Sequence, residues 1–340
     1  MIKYDAIIAG AGFAGLSLAT RLRGNVLLIN KYDIGEHNIS ACGTLVKTMK
    51  KIGAEELILQ EFDTIALHTQ NKVIDIPTRD HFCTIDYKQF CEFLFKHTSV
   101  DFKKATATAV RGNTVITNQG EFEAPLIIDA TGWRAALASS IKKNYVNDQM
   151  ISFGIETEIP YEDNKLRLFA DPTIVENGAG WLFPAGHVAR FGIGCYGKTT
   201  DLIPRLKHFV ENRYGLKVGE IHGGGFGYHV KDEPVLDNLF VVGCAAGQTL
   251  PFTGEGIRRC IEFGIYLGDL IQQVLDKKIT KEQAMQTYSA YAVKHKKYYN
   301  MLLWAQRKMP FMPNWKINLV AKILSLNIVA NYAWQQYEKV

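Results

Sequence analysis

Residues 4–15 read Tyr-Asp-Ala-Ile-Ile-Ala-Gly-Ala-Gly-Phe-Ala-Gly, and residues 16–22 continue Leu-Ser-Leu-Ala-Thr-Arg-Leu. The apolar run stops at Gly10, glycines recur at 12 and 15, and the apolar positions then fall at helical spacing. The stretch predicts a strand, a tight turn and a helix, with glycine at the three places a dinucleotide requires. Gly10 permits the turn. Gly12 leaves no side chain between the backbone and a pyrophosphate. Gly15 lets the helix pack close on the strand. The N–H groups at the helix start, with the positive end of its dipole, would face the phosphates. A second apolar strand at 25–29 completes the unit, and in this context the glycines mark a dinucleotide site.

The chain has 340 residues, enough for one large or two intimate domains, and its 47% hydrophobic and 21% charged content is that of a globular protein. The first strand begins almost at Met1, so no signal peptide is expected. No run of eighteen apolar residues predicts a spanning helix. The six cysteines (42, 83, 91, 195, 244 and 260) include no CxxC pair and read as free cytosolic thiols. The net charge of +5 is unevenly placed. Residues 281–340 hold nine basic and two acidic residues, against 30 and 32 in the rest.

An acidic residue is expected about twenty positions after the first glycine, to hold the adenosine ribose. Asn30 stands there, followed by Lys31. An amide oxygen still accepts a ribose hydroxyl, without the charge or bidentate grip of a carboxylate. Further on, a polar loop at 34–43 ends Ala-Cys-Gly. Helical spacing is read over 44–59, a hairpin over 64–69 and 72–76, a helix around Phe90 to Leu94, and a second hairpin over 114–117 and 120–124. Leu126-Ile-Ile-Asp-Ala-Thr-Gly132 is a continuous apolar strand of the kind buried in parallel sheets. Residues 151–230 turn to alternating β patterns. Residues 238–247, Asn-Leu-Phe-Val-Val-Gly-Cys-Ala-Ala-Gly, return to the parallel style before a helix reaching about residue 275. The expected architecture is α/β. It comprises a Rossmann-like dinucleotide domain of mixed parallel sheet from 1–63, 84–150 and 235–278, an inserted antiparallel-sheet substrate domain from 64–83 and 151–234, and a helical segment at 279–340.

Four features line up with one family: Gly10/Gly12/Gly15, Asp129-Ala-Thr-Gly132, Gly180-Trp-Leu-Phe-Pro184, and Gly243-Cys-Ala-Ala-Gly247 followed by Pro251-Phe-Thr-Gly-Glu-Gly256. Over roughly residues 1–275 the chain resembles the geranylgeranyl reductase family of FAD-dependent oxidoreductases, within the aromatic-hydroxylase-like flavoproteins. The resemblance implies FAD. It implies contacts from Gly10, Gly12, Phe13, Ala14 and Gly15, from Asn30 and Lys31, and from Cys42 and Gly43. It adds Ala130, Thr131 and Gly132, then Gly243, Cys244, Ala245 and Gly247, then Pro251, Gly254, Gly256 and Ile257. Cys42 matches the family's active-site cysteine. Gly254 and Glu255 fall in the loop beside the flavin ring, where Glu255 reads either as a catalytic neighbour or as a structural acid of the helix start. Trp181, Phe183 and Pro184 would form an apolar substrate wall, or belong to the core of the inserted domain. Where the family usually carries Asp and Arg, this chain has Cys244 and Tyr87. With Asn30, that removes three charged contacts to FAD.

The implied activity is reduction of C=C bonds in a polyprenyl lipid, with electrons from NAD(P)H or a ferredoxin-like protein, since no second GxGxxG is present. A monooxygenase or hydroxylase of an aromatic or polyketide is the rival, and a flavin-binding protein without turnover is a third reading. A halogenase should carry a Trp-x-Trp-x-Ile-Pro element, which 180–184 lacks. The nine histidines show no ligand spacing, so no metal is expected, and His222 and His229 read as packing residues. The basic, aromatic-rich 281–340 predicts a helical cap over the substrate domain or attachment to an anionic membrane surface, and not nucleic-acid binding. The expected location is the cytoplasm, peripheral to a membrane in the second case.

Overall fold

The fingerprint strand, Ala6–Ala9, lies inside a six-stranded sheet with all four residues buried. Val26–Asn30 and Leu126–Asp129 flank it in parallel, Asp101–Lys104 and Leu239–Val241 extend the sheet in parallel, and Val235–Leu236 closes one edge antiparallel. The computed structural model describes residues 2–197 and 201–338. Its contacts divide the chain into two units. The first comprises Met1–His37, Lys88–Ile151 and Phe226–Asn300, and the second Asn38–Tyr87, Ser152–Gly225 and Met301–Val340.

In the first unit, burial of both sheet faces explains the unbroken apolar strands. The helix Phe13–Ala19 packs against Ile257–Leu275 at backbone distance. A Cβ on Gly264 would lie 2.5 Å from the Ala14 carbonyl oxygen, and one on Gly268 would lie 2.8 Å from that of Leu18. The helix Lys281–Lys308 reaches across the unit boundary. Its tyrosines are not the surface aromatics that the interleaving with lysines suggests. Tyr288 and Tyr299 are fully buried and donate to the carbonyls of Val241 (2.7 Å) and Gln248 (2.6 Å). Tyr291 stacks on Tyr266 at 3.6 Å. Residues 281–300 are thus part of the core of the first unit and not the separate helical cap expected for 279–340.

The second unit is built on an eight-stranded sheet. Its order is Ile221–Gly227, Ile151–Pro160, Val188–Tyr196, Gly178–Ala185, Leu166–Phe169, Ile58–His68, Val73–Ile85 and Gly43–Leu45. The hairpin read at 64–76 is longer than its alternation suggests. Register shifts at Ile58/Gln60 and Phe62/Thr64 break the period of two where the strand is bulged. Residues 38–63 and 84–87 therefore group with this sheet, not with the dinucleotide unit. Residues 44–59 form a strand end, the short helix Val46–Lys51 and a turn at Gly53 with φ +67°. The helix Leu202–Tyr214, not foreseen in the β-rich region, covers one sheet face. There Leu206, Phe209 and Val210 pack on Phe169, Phe191 and Ile193. Residues 314–338 form the helices Asn314–Leu324 and Asn327–Glu338, and the Trp334 indole donates to the Pro77 carbonyl at 3.0 Å. Among the described residues, no helix is long and apolar enough to cross a membrane.

Candidate active site

The first unit gathers three glycine turns. Gly10 has φ +108°, and a Cβ there would fall 2.1 Å from the Ala130 carbonyl oxygen, so only glycine fits between two parallel strands. A Cβ on Gly15 would strike the Gly10 carbonyl oxygen at 1.9 Å. A Cβ on Gly12, the residue that starts the helix, would meet nothing within 4 Å. Open space at Gly12 beside clashing neighbours is the cradle that a pyrophosphate requires. Gly243 closes on the first turn, since a Cβ there would touch that of Ala14 at 2.7 Å. Gly247 packs on the His229 carbonyl, and Gly256 starts the Ile257–Leu275 helix after a left-handed Phe252 and Gly254. These turns fit an FAD-sized dinucleotide.

The side chains around the cradle brace it. Asn30 Oδ1 accepts the Ala11 N–H at 3.1 Å and its amide donates to the Tyr32 carbonyl at 2.8 Å, so the residue at the ribose position ties its own loop down. The Lys31 ammonium lies 5.0 Å from the centre of the Tyr32 ring. Asp129 is fully buried. It accepts from the Thr131 N–H and hydroxyl and from the Ala138 N–H, holding the Ala130–Thr131–Gly132 turn, and burial raises its pKa. Cys244, half-buried, meets the Thr249 hydroxyl at 3.3 Å. A hydrogen bond from the Cys260 thiol pulls the Cys244 pKa down and pushes that of Cys260 up. Glu255 forms a buried bidentate pair with Arg258, both bonds 2.9 Å. That carboxylate anchors the helix start. Neither Arg258 nor its buried neighbour Arg259 was foreseen, because a helical Arg-Arg ordinarily reads as a solvated face.

In the second unit, strand register explains the Gly-Trp-Leu-Phe-Pro element. Across Ile151–Pro160, Val188–Tyr196 and Gly178–Ala185 the pairing aligns Glu156–Gly192–Trp181 in one row and Glu158–Arg190–Phe183 in the next. With no side chain at Gly192, the Trp181 indole lies across the middle strand, and a Cβ on Gly192 would be 2.1 Å from the ring. Its Nε1 then reaches Glu156 Oε2 at 2.9 Å. Glu156 is buried, and its pKa is pushed up to about 7, chiefly by burial, against the pull of the indole hydrogen bond and Arg190. Its Oε1 has no hydrogen-bond partner among the described residues and faces His222 Nε2 at 3.6 Å, while His222 Nδ1 is likewise buried and unbonded. Burial lowers the His222 pKa.

The Cys42 loop sits on this face. Arg190 donates to the carbonyls of Ile85 (3.0 Å) and Ala41 (3.3 Å), and the Ile85 N–H donates to the Cys42 carbonyl. Cys42 is held in the left-handed region at φ +55°, a strained conformation for a residue with a side chain. Its thiol is fully buried, and burial pushes its pKa up to about 12. A Cβ on Gly43 would lie 2.7 Å from the Phe183 ring, which is why glycine follows. Cys42, Gly43, Trp181 and Phe183 thus share one face, while Pro184 contributes its carbonyl to the Thr84 hydroxyl at 2.6 Å. Glu156 and Arg190 were missed in the sequence, and His222 was read as packing. The signal that could have found Glu156 and Arg190 is the charged residue on the same strand face as a glycine.

No family model matches the chain. Digeranylgeranylglycerophospholipid reductase 1 of Methanosphaera stadtmanae is 25% identical over 326 residues, covering 86% of this chain and 81% of its own. The chain is similar along most of its length to proteins named as digeranylgeranylglycerophospholipid reductases. A geranylgeranyl bacteriochlorophyll reductase-like protein of Thermoplasma acidophilum shares the fold at a TM-score of 0.86 with 19% identity, over 96% of this chain and 92% of its own. The p-nitrophenol 4-monooxygenase PnpA of Pseudomonas putida shares it at 0.81 with 13% identity, over 100% and 98%. The geranylgeranyl reductase relationship therefore extends through both units, and the aromatic-hydroxylase likeness is one of fold.

Proposed function

We propose that the protein is an FAD-dependent oxidoreductase that reduces C=C bonds of a polyprenyl, geranylgeranyl-type lipid. The observation that carries this reading is the aromatic surface made by Trp181 and Phe183 in the second unit, where the Cys42–Gly43 loop packs on Phe183 beside an indole laid over Gly192, with the charged groups of Glu156 and Arg190 buried beneath. The name of the Methanosphaera relative supports the substrate class. When bound, FAD would supply hydride. Residues 10–15, 130–132 and 243–257 would hold it through backbone N–H groups and close packing. Trp181 and Phe183 would orient the alkene and exclude water. The fully buried Cys42 thiol, protonated at neutral pH, would act as an apolar packing group that holds the loop beside Phe183.

NAD(P)H or a ferredoxin-like protein would reduce the flavin. The reaction would run in the cytoplasm, at the surface of a membrane holding the lipid. The test is anaerobic incubation of the FAD-loaded protein, reduced with dithionite, with a digeranylgeranylglycerophospholipid in detergent. A mass gain of two hydrogens per reduced bond is expected. An unchanged lipid, with NADH oxidation stimulated instead by an aromatic compound and appearance of its hydroxylated product, would overturn the reading in favour of a monooxygenase.

A further inference from the structure

The helix Asn314–Leu324 carries apolar side chains on its solvent side as well as on its inner side. Its buried side presents Asn318 and Ala321. Asn318 accepts the Thr69 hydroxyl at 2.7 Å and donates to Asn71 Oδ1 at 3.0 Å, so a polar side chain with both its functions bonded holds the inner side. Its outer side carries Trp315, Leu319 and Ile323 at i, i+4 and i+8, all exposed. The same segment of the second unit exposes Trp304 (62%), Phe311 (86%) and Ile328 (85%). Singly exposed apolar residues are ordinary. A helix with an apolar stripe on its solvent side, flanked along the chain by further exposed apolar side chains, is not, and such surfaces mark a partner.

The charges identify the partner. Among the described residues of 301–338 the basic side chains are Arg307, Lys308, Lys316 and Lys322, and the one acid, Glu338, is held by Lys47 at 2.9 Å. The Lys316 ammonium lies 5.4 Å from the centre of the Trp315 ring, so cation and aromatic alternate along the surface. Protein interfaces exclude lysine from their centres. A second copy of this chain on a two-fold axis would set the basic patch against itself. Aromatic, aliphatic and basic side chains intermixed on one helix suit the interfacial layer of an anionic bilayer.

We propose that the outer stripe of Asn314–Leu324, with Trp304, Phe311 and Ile328, inserts into the headgroup layer of an anionic membrane. This deepens the lipid-reductase reading and rests on it for its purpose, since such seating would bring the substrate's own bilayer to the protein. Each basic residue near anionic headgroups contributes roughly fivefold to partitioning, and burial of the stripe adds to it.

The experiment uses the full chain with vesicles of phosphatidylcholine alone or mixed with phosphatidylglycerol. Sedimentation with the mixed vesicles at low salt, and quenching of tryptophan emission by brominated lipid, are expected. The L319S/I323S variant, whose changes lie on solvent, should melt like wild type and lose at least about tenfold in partition coefficient. Three results would overturn the proposal: wild type that ignores anionic vesicles at low salt, a folded variant that binds as well as wild type, or a wild-type dimer that the variant converts to monomer. Reduction of detergent-dispersed lipid is measured separately, so loss of vesicle binding with intact reduction rejects the surface alone, and the converse rejects the reductase reading alone.

Discussion

Replacing Glu156 with Gln separates the ionisation of the buried carboxyl from its hydrogen bond. The Gln Oε1 retains an acceptor for the Trp181 N–H, and the shape is unchanged. In wild type the folded-state pKa is raised from 4.5 to about 7, chiefly by burial. The folded protein therefore holds a proton that the unfolded chain has released between these values, and stability must fall as pH rises through that window. The fall is complete above the folded pKa and amounts to about 3 kcal/mol, from the shift at 1.36 kcal/mol per unit. If all 340 residues melt together, that is about 4 °C in Tm. Calorimetric melts of both proteins from about pH 3.5 to about pH 8.5 test it. The curves should coincide at the acid end and diverge upward, with the Gln variant the more stable. Titrating groups remote from Glu156 are common to both proteins and cancel in the difference, leaving Glu156 with its neighbour His222. A difference that is flat with pH, or that grows in favour of wild type, would refute the burial argument.

Three further outcomes are expected. Gly12→Val should fold with an unchanged melt, because a Cβ there meets nothing, and should lose FAD absorbance after gel filtration; retention at wild-type stoichiometry would remove the glycine turn from the cofactor site. Gly192→Ala should cost about 1–3 kcal/mol and shift tryptophan emission, since its Cβ would lie 2.1 Å from the indole; an unaltered spectrum would show that Trp181 does not lie over the glycine. Native protein treated with iodoacetamide at about pH 8 should be alkylated at half-buried Cys244 well before Cys42, whose thiol is buried and pushed up to about 12, and peptide mass mapping reads the order.

The parallel sheet was legible because its strands are buried on both faces. An unbroken run such as Leu126-Ile-Ile has one reading once a glycine turn precedes it. The second unit was less so. The bulged strand Ile58–His68 loses its alternation, and Leu202–Tyr214 lies in a stretch whose neighbours all alternate. Tyr288 and Tyr299 misled for another reason. A tyrosine buried with its hydroxyl on a carbonyl has the same letter as one at a membrane surface, and only tertiary contact separates them. The glycine turns could be named from spacing because their constraint is local backbone geometry. The Glu156–Gly192–Trp181 row could not, since it joins three strands whose register sequence alone does not align.

The departures at Asn30 and Cys244 acquire a physical sense from what surrounds them. A carboxylate at position 30 would grip a ribose, whereas the amide donates and accepts at once, and both functions are engaged in fixing residues 11 and 32. At position 244 a thiol takes a hydrogen bond from Cys260 and meets Thr249, so the turn is braced from within the protein. In both places the side chain is engaged in bracing its own turn. The close contacts at Gly10, Gly15, Gly243 and Gly264 act in the same direction, because each fixes two backbone segments against one another. A cradle of this kind holds an anionic dinucleotide through pre-set N–H groups and shape, and ordering the loops in advance removes part of the entropy that binding would otherwise lose.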